Sequence, residues 1–164
     1  MELPPEIIVN HIINILPYRD VLVLSNINTL YHGMCNDEYI WSKLYKRDYD
    51  KIDIPKYNNL NTKHRYRSIT QMIDRHMEVL TQSCTISIKD ADYIRQTLIQ
   101  LLADLCVEDI QTHGNNTIMR TIDDIYKVVR EFVSHDYITG YVYGLLHSID
   151  YIVYYTNEQR IKLM

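Results

Sequence analysis

The chain has 164 residues, 46% of them hydrophobic and 23% charged, with a formal net charge of −4 at pH 7. That composition suits one ordinary domain, or a small module joined to a second unit. Four glycines and four prolines are too few for the tight turns of a sandwich or barrel, and three cysteines without a close pair argue against a disulfide framework.

Charge is unevenly spread. Residues 1–40 carry one base and five acids, residues 41–70 eight bases and three acids, and residues 81–164 seven bases and eleven acids. An overall basic footprint for nucleic acid is absent, so binding to it is not expected.

Along the chain, apolar residues at helical spacing predict a first amphipathic helix over residues 6–16, with Ile7, Ile8, Ile12, Ile15 and Leu16 on one face. Pro4 and Pro5 suit a first turn, Pro17 stops the helix, and Asp20 is placed to cap the next one. Short helices follow around Val21–Ile27, Leu30–Met34 and Trp41–Tyr45.

The basic, aperiodic stretch 47–68 reads as a linker or long surface loop. From residue 69 the helical period returns with Ile69, Met72, Ile73, Met77 and Leu80. After "CTISI", the longest helix is predicted from about Asp90, with Ile94, Leu98, Leu101, Leu105 and Cys106 on one face and Gly114 as its left-handed cap. Thr121 and Asp124 then offer a capping box ahead of Ile122, Ile125, Val129 and Phe132. Asp136 is placed to cap a last helix with Ile138, Tyr141, Val142, Leu145, Ile149, Ile152 and Val153 on its stripe.

The expectation is an all-α protein of about eight helices. A module of three to four short helices (1–46) precedes the linker (47–68) and a C-terminal domain of about four helices (69–164). "YITGYVYGLLHSIDYIVYY" has the length of a membrane span, but His147 and Asp150 in its interior favour a helix packed in protein, so no membrane partner is expected. "MELPPE" lacks the basic start of a secretory leader. The expected location is intracellular, cytoplasmic or nuclear.

The first 46 residues carry a resemblance. Leu3, Pro4, Glu6, Ile7 and Ile8, then Leu16, Pro17, Asp20, Val21 and Leu22, then Leu24, Ser25, Ile27 and Asn28, the aromatic Tyr31, and Trp41 fourteen residues after Ile27, follow one ordered pattern. It resembles the F-box, the helical module of substrate receptors in SCF-type ubiquitin ligases. One interval departs from that pattern: Glu6 to Leu16 is one residue longer than usual, which puts His11 where an apolar residue belongs.

The resemblance implies a Skp-type adaptor as partner and, through it, a cullin scaffold. Leu3, Pro4, Glu6, Ile7, Ile8, Leu16, Pro17, Asp20, Val21, Leu22, Leu24, Ile27, Tyr31 and Trp41 would lie in or support that interface. The helical remainder would recruit an unidentified target protein, with no cofactor and no catalytic group of its own. A decoy that occupies the adaptor without delivering a target is the alternative. The helix order of the C-terminal half is also weakly similar to a histone fold, which implies a chromatin role, but its acidic balance argues against DNA wrapping.

Remaining features are poorer sites. "KHRYR" (63–67) mixes bases with an aromatic but reads as a solvated face. His32 and Cys35 lack a second ligand pair at zinc spacing. Gly140 and Gly144 stand one turn apart, and Tyr137, Tyr141, Tyr151 and Tyr155 offer a candidate partner face on the last helix. No phosphate loop, nucleophile elbow or metalloprotease helix occurs.

Overall fold

The computed structural model of the protein describes residues 4, 7–13, 15–107 and 114–149. Among the described residues the fold is all-α, with no strand. A π-helical segment, Ile8–Ile13, comes first. Seven α-helices follow: α1 Tyr18–Leu24, α2 Thr29–Cys35, α3 Glu38–Tyr49, α4 Thr62–Ser83, α5 Ile88–Val107, α6 Gly114–Val129 and α7 His135–Ser148. The chain divides into two compact units. One holds residues up to Asp50 together with Asn58–Arg67, the other Lys51–Tyr57 together with Ser68 onward.

In the first unit, local chemistry sets the short helices. Pro17 stands at the cap of α1, and its carbonyl accepts from the amides of Asp20 at 3.0 Å and Val21 at 3.3 Å. The expectation that Asp20 caps α1 is therefore corrected. Asp20 lies inside the first turn, where its charge favours the positive end of the helix dipole. The Asn28 side chain accepts from Tyr31 N at 2.9 Å to start α2, and Asp37 from Tyr39 N at 2.8 Å to start α3. α1 packs on α2 and α2 on α3. The core they enclose includes Ile8, Val21, Cys35, Ile40, Trp41 and Leu44.

The stretch read as a linker is more ordered than its composition implies. α4 starts at Thr62, seven residues ahead of the predicted Ile69. The Asn61 side chain accepts from His64 N at 3.0 Å, and Glu38 Oε1 accepts from Thr62 N at 3.0 Å. Two orphan amides at the start of a helix thus find partners inside a polar run. Ile52, Ile54 and Tyr66, in the same stretch, are buried.

In the second unit α6 packs against both α5 and α7. The predicted stripes form its core: Ile69, Ile73 and Leu80 of α4, Ile94, Leu98 and Leu101 of α5, Ile122, Ile125 and Val129 of α6, and Ile138, Val142 and Leu145 of α7 are all buried. Cys106, expected on the α5 stripe, is exposed instead. Asp74 pairs with Arg95 between α4 and α5, and Asp104 with Arg120 at 3.6 Å between α5 and α6.

Four local expectations are corrected here. Gly114 opens α6 instead of closing the preceding helix. Thr121 and Asp124 lie within α6, with Thr121 buried. The N-cap of α5 is Ser87, whose Oγ accepts from Asp90 N at 3.1 Å and donates to Asp90 Oδ2 at 2.6 Å, so α5 starts at Ile88. Ser134, not Asp136, caps α7 by accepting from Tyr137 N. Phe132 also leaves the α6 stripe: the helix ends at Val129, and the following turn turns the ring out to 49% exposure. Ile149 is half-buried just past α7, while Ile152 and Val153 lie outside the described residues. No helix among the described residues is long and apolar enough to cross a membrane.

Two outcomes follow from this packing. Leu98 is fully buried in α5. We expect Leu98→Ala to lower the unfolding free energy by about 2–5 kcal/mol in a urea titration followed by circular dichroism. His76 of α4 is half-buried, its ring edge-on to Tyr141 and its Nε2 3.2 Å from Ser148 Oγ. Burial, and then the neighbouring Arg75 cation, lowers its proton affinity. The unfolded chain takes the proton first, so the His76 contribution is fully present above its unfolded value near 6.5 and is lost as pH falls below that toward the folded value. The urea midpoint should drop over that interval, and His76→Gln should flatten part of the drop; an unchanged pH slope in the variant would count against the assignment.

Candidate functional site

The first unit is organised around Tyr66. Its buried ring meets those of Tyr49 at 5.0 Å between centroids, Trp41 at 5.6 Å and Tyr18 at 5.7 Å. Its hydroxyl donates to Asp48 Oδ2 at 2.5 Å, and Asp48 also receives Arg47 Nε at 2.6 Å. Burial first, and then the bond to Asp48, raise the Tyr66 hydroxyl far above its ordinary proton affinity and keep it a neutral donor. Trp41 is fully buried, and its indole N–H donates to the Cys35 carbonyl at 2.7 Å. Burial also raises the Cys35 thiol, against a smaller opposing effect of Lys63. Lys63 lies over the indole at 5.5 Å and bonds Asn36.

Sequence reasoning missed Tyr66 because "KHRYR" is basic. The signal was there: Tyr66 lies three residues before Ile69 and seven before Ile73, on the stripe that the buried residues of α4 continue.

The residues that carry the F-box resemblance divide into two groups. Ile8, Val21 and Trp41 are buried, and Leu16, Leu22, Leu24 and Tyr31 are half-buried. Pro4, Ile7, Pro17, Asp20 and Ile27 are exposed. Leu3 and Glu6 lie outside the described residues.

At the corner between α1 and α2 the exposed apolar residues come close together in the chain. Val23 is 63% exposed, Ile27 59% and Leu30 40%. The corner is closed by its own hydrogen bonds: Ser25 Oγ donates to the Leu22 carbonyl at 2.6 Å, Asn26 N to Val23 at 3.0 Å and Ile27 N to Leu24 at 3.1 Å. Three helix-end carbonyls are thereby satisfied, and Asn28 caps the next helix at once. The backbone is fixed while the side chains of Val23 and Ile27 stay in water. Ile7 (41%) and Ile15 (78%) add apolar surface in the same unit.

The tyrosine face proposed on the last helix is divided as well. Tyr137 is 37% exposed, with its hydroxyl 2.6 Å from Ser83 Oγ. Tyr141 points inward and is buried, so it is corrected from a partner face to the core. Tyr151 and Tyr155 lie outside the described residues. Gly140 and Gly144 are exposed, and a Cβ on Gly144 would meet only the edge of His76 at 3.9 Å. Close approach of another helix is not what these glycines serve within the described fold. Cys35 is buried and His32 exposed, and among the described residues no three His, Cys, Asp or Glu side chains gather as a metal site requires.

No family model matches the chain, nor does any curated protein or solved structure.

The corner can be tested without a partner. Val23→Lys with Ile27→Lys should shift stability by no more than about 0.5 kcal/mol, since neither side chain is in the core. The same pair should reduce binding of the apolar dye ANS. Val21→Ala, one turn away in the core, should instead cost about 0.5–3 kcal/mol in chemical unfolding.

Proposed function

We propose that the first unit is an F-box that docks onto a Skp-type adaptor, and that the chain recruits a target protein to an SCF-type ubiquitin ligase. The observation that carries this reading is the apolar surface of the first unit. Ile7 and Ile27, two positions of the F-box pattern, stand in water, as do Ile15, Val23 and Leu30, while Trp41, Val21 and Ile8 hold the interior. A unit of this size buries little apolar area, and a partner that covers its exposed face stabilises the folded state by mass action.

The π-helical segment adds support. An i→i+5 hydrogen bond spans one more residue than the i→i+4 bond of an α-helix, and Ile8–Ile13 lies within the one interval that is a residue longer than the F-box pattern. The extra residue is taken up locally around His11, so the pattern on either side keeps its order.

In this role the chain supplies proximity, not chemistry. Holding a target near the transfer machinery raises its effective concentration, and the reacting groups belong to other subunits. The second unit, with its own core, is then the element that meets the target.

The test is calorimetry with a purified Skp-type adaptor. We expect micromolar or tighter binding by the parent chain. Ile7→Asp with Ile27→Asp should abolish it while helical circular dichroism is retained, since both side chains are exposed. Absence of binding by the well-folded parent would overturn the reading. Binding without any third protein whose turnover depends on this chain would make it an occupant of the adaptor that delivers no target.

A further inference from the structure

Two side chains on one face of α3 reach back to the start of the chain. Lys43 Nζ donates to Asn10 Oδ1 at 3.1 Å, and Arg47 Nη1 donates to the Leu16 carbonyl at 3.1 Å. Positions 43 and 47 stand one turn apart on α3, so both bonds leave the same side of that helix. The second anchor falls between helices: the π-helical segment ends at Ile13 and α1 starts at Tyr18, and Pro17, next after Leu16, brings no amide. Ile15, between the two anchored residues, is 78% exposed and gains no order from burial. Arg47 is itself held in place. Its Nε donates to Asp48 Oδ1 at 2.6 Å and its Nη2 to Asp48 Oδ2 at 2.7 Å, and the Tyr66 hydroxyl donates to that same Oδ2. The guanidinium fork commits two donors to the carboxylate and turns a third to the Leu16 carbonyl. The carbonyl is thus tied, through Arg47 and Asp48, to the buried phenol at the centre of the unit.

We infer that Arg47 is a positioning residue for the apolar surface of the first unit: acting through the Leu16 carbonyl, with Lys43 on Asn10 as a second anchor, it fixes how Ile15 and the Pro17 turn are presented. The inference rests on the adaptor reading for what that surface meets, and the anchoring itself does not. With side chains 32% and 26% exposed, the Arg47–Asp48 pair adds little to global stability but holds a local geometry. A loose 10–16 segment would have to be ordered by the partner at a cost to affinity, and an anchored one does not. The anchor also bears on the pattern. The interval from Glu6 to Leu16 is the one that is a residue longer than in the F-box, and a fixed Leu16 carbonyl starts the run Leu16, Pro17, Asp20, Val21, Leu22 at a defined place beyond the extra residue. A lysine at 47 reaches the carboxylate or the carbonyl but lacks the planar fork that holds both.

The test compares the full chain with Arg47→Gln, Arg47→Lys and Lys43→Gln, by amide hydrogen exchange and by calorimetry with a purified Skp-type adaptor. Arg47→Gln should speed exchange about tenfold in the π-helical segment and at Asp20 and Val21, whose bonds to the Pro17 carbonyl follow directly on the anchored Leu16. Exchange in α2 and around Trp41, and the urea midpoint, should stay as in the parent, which a purely structural role would not allow. Lys43→Gln should act on the same amides more weakly, and Arg47→Lys should recover part of the protection. In calorimetry Arg47→Gln should weaken adaptor binding by about tenfold, although position 47 lies beyond the F-box pattern. Unchanged exchange at these amides, an increase spread over α2 and α3, or an adaptor affinity equal to that of the parent would each overturn the inference. Failure of the parent itself to bind the adaptor is a different result: it ends the F-box reading, and the exchange pattern then decides the anchoring by itself.

Discussion

The ring of Tyr66 is the point on which the first unit depends. Three other aromatic rings meet it within 6 Å, and its hydroxyl reaches Asp48, which is tied to Arg47. Trp41 and Tyr49 come from α3, Tyr18 from α1 and Tyr66 from the start of α4. Helices of seven to twelve residues are marginal alone, so a shared aromatic centre has to provide what their length cannot. Polar satisfaction accompanies the burial. The indole N–H finds a carbonyl and the phenol finds a carboxylate, so a dense aromatic core leaves neither of these donors orphaned.

That centre leaves the outer edges of α1 and α2 without apolar cover. The corner residues 25–27 bond back to the end of α1, and Val23 and Ile27 are exposed there. A unit that merely lacked enough core would be expected to collapse such residues inward. Here the bonds of the corner fix the backbone, and Val23 and Ile27 stand exposed on it. An open groove beside Tyr45 is polar where this corner is apolar.

The second unit is built on a different economy. Long helices with broad apolar stripes bury Ile and Leu in depth, and charged pairs such as Asp74–Arg95 link neighbouring helices at the surface. Its caps are short local devices: Ser87 with Asp90, and Ser134. The polar groups it carries inside are few. Tyr141, buried with its hydroxyl raised far above its usual proton affinity mainly by burial, stays protonated beside His76.

The helical class and the core stripes were legible in the sequence, because a 3.6-residue period of Ile and Leu is dictated by helix geometry whatever the tertiary context. Thus Ile94, Leu98, Leu101, Ile122, Ile125 and Val142 were placed correctly inside. Helix starts were less legible. Several Ser, Thr, Asp and Asn residues compete for each cap, and the structure shows Ser87 taking the cap of α5 and Thr121 lying buried in mid-helix. Tyr66 and Tyr141 show the same limit: a tyrosine suits a surface or a core, and its neighbours in space decide which. The sequence pattern alone carries the resemblance of residues 2–46 to an F-box. Which of those residues reach water, and the groove formed where Tyr45 meets Arg65, were decided only by tertiary structure, because exposure depends on what residues distant in the chain cover.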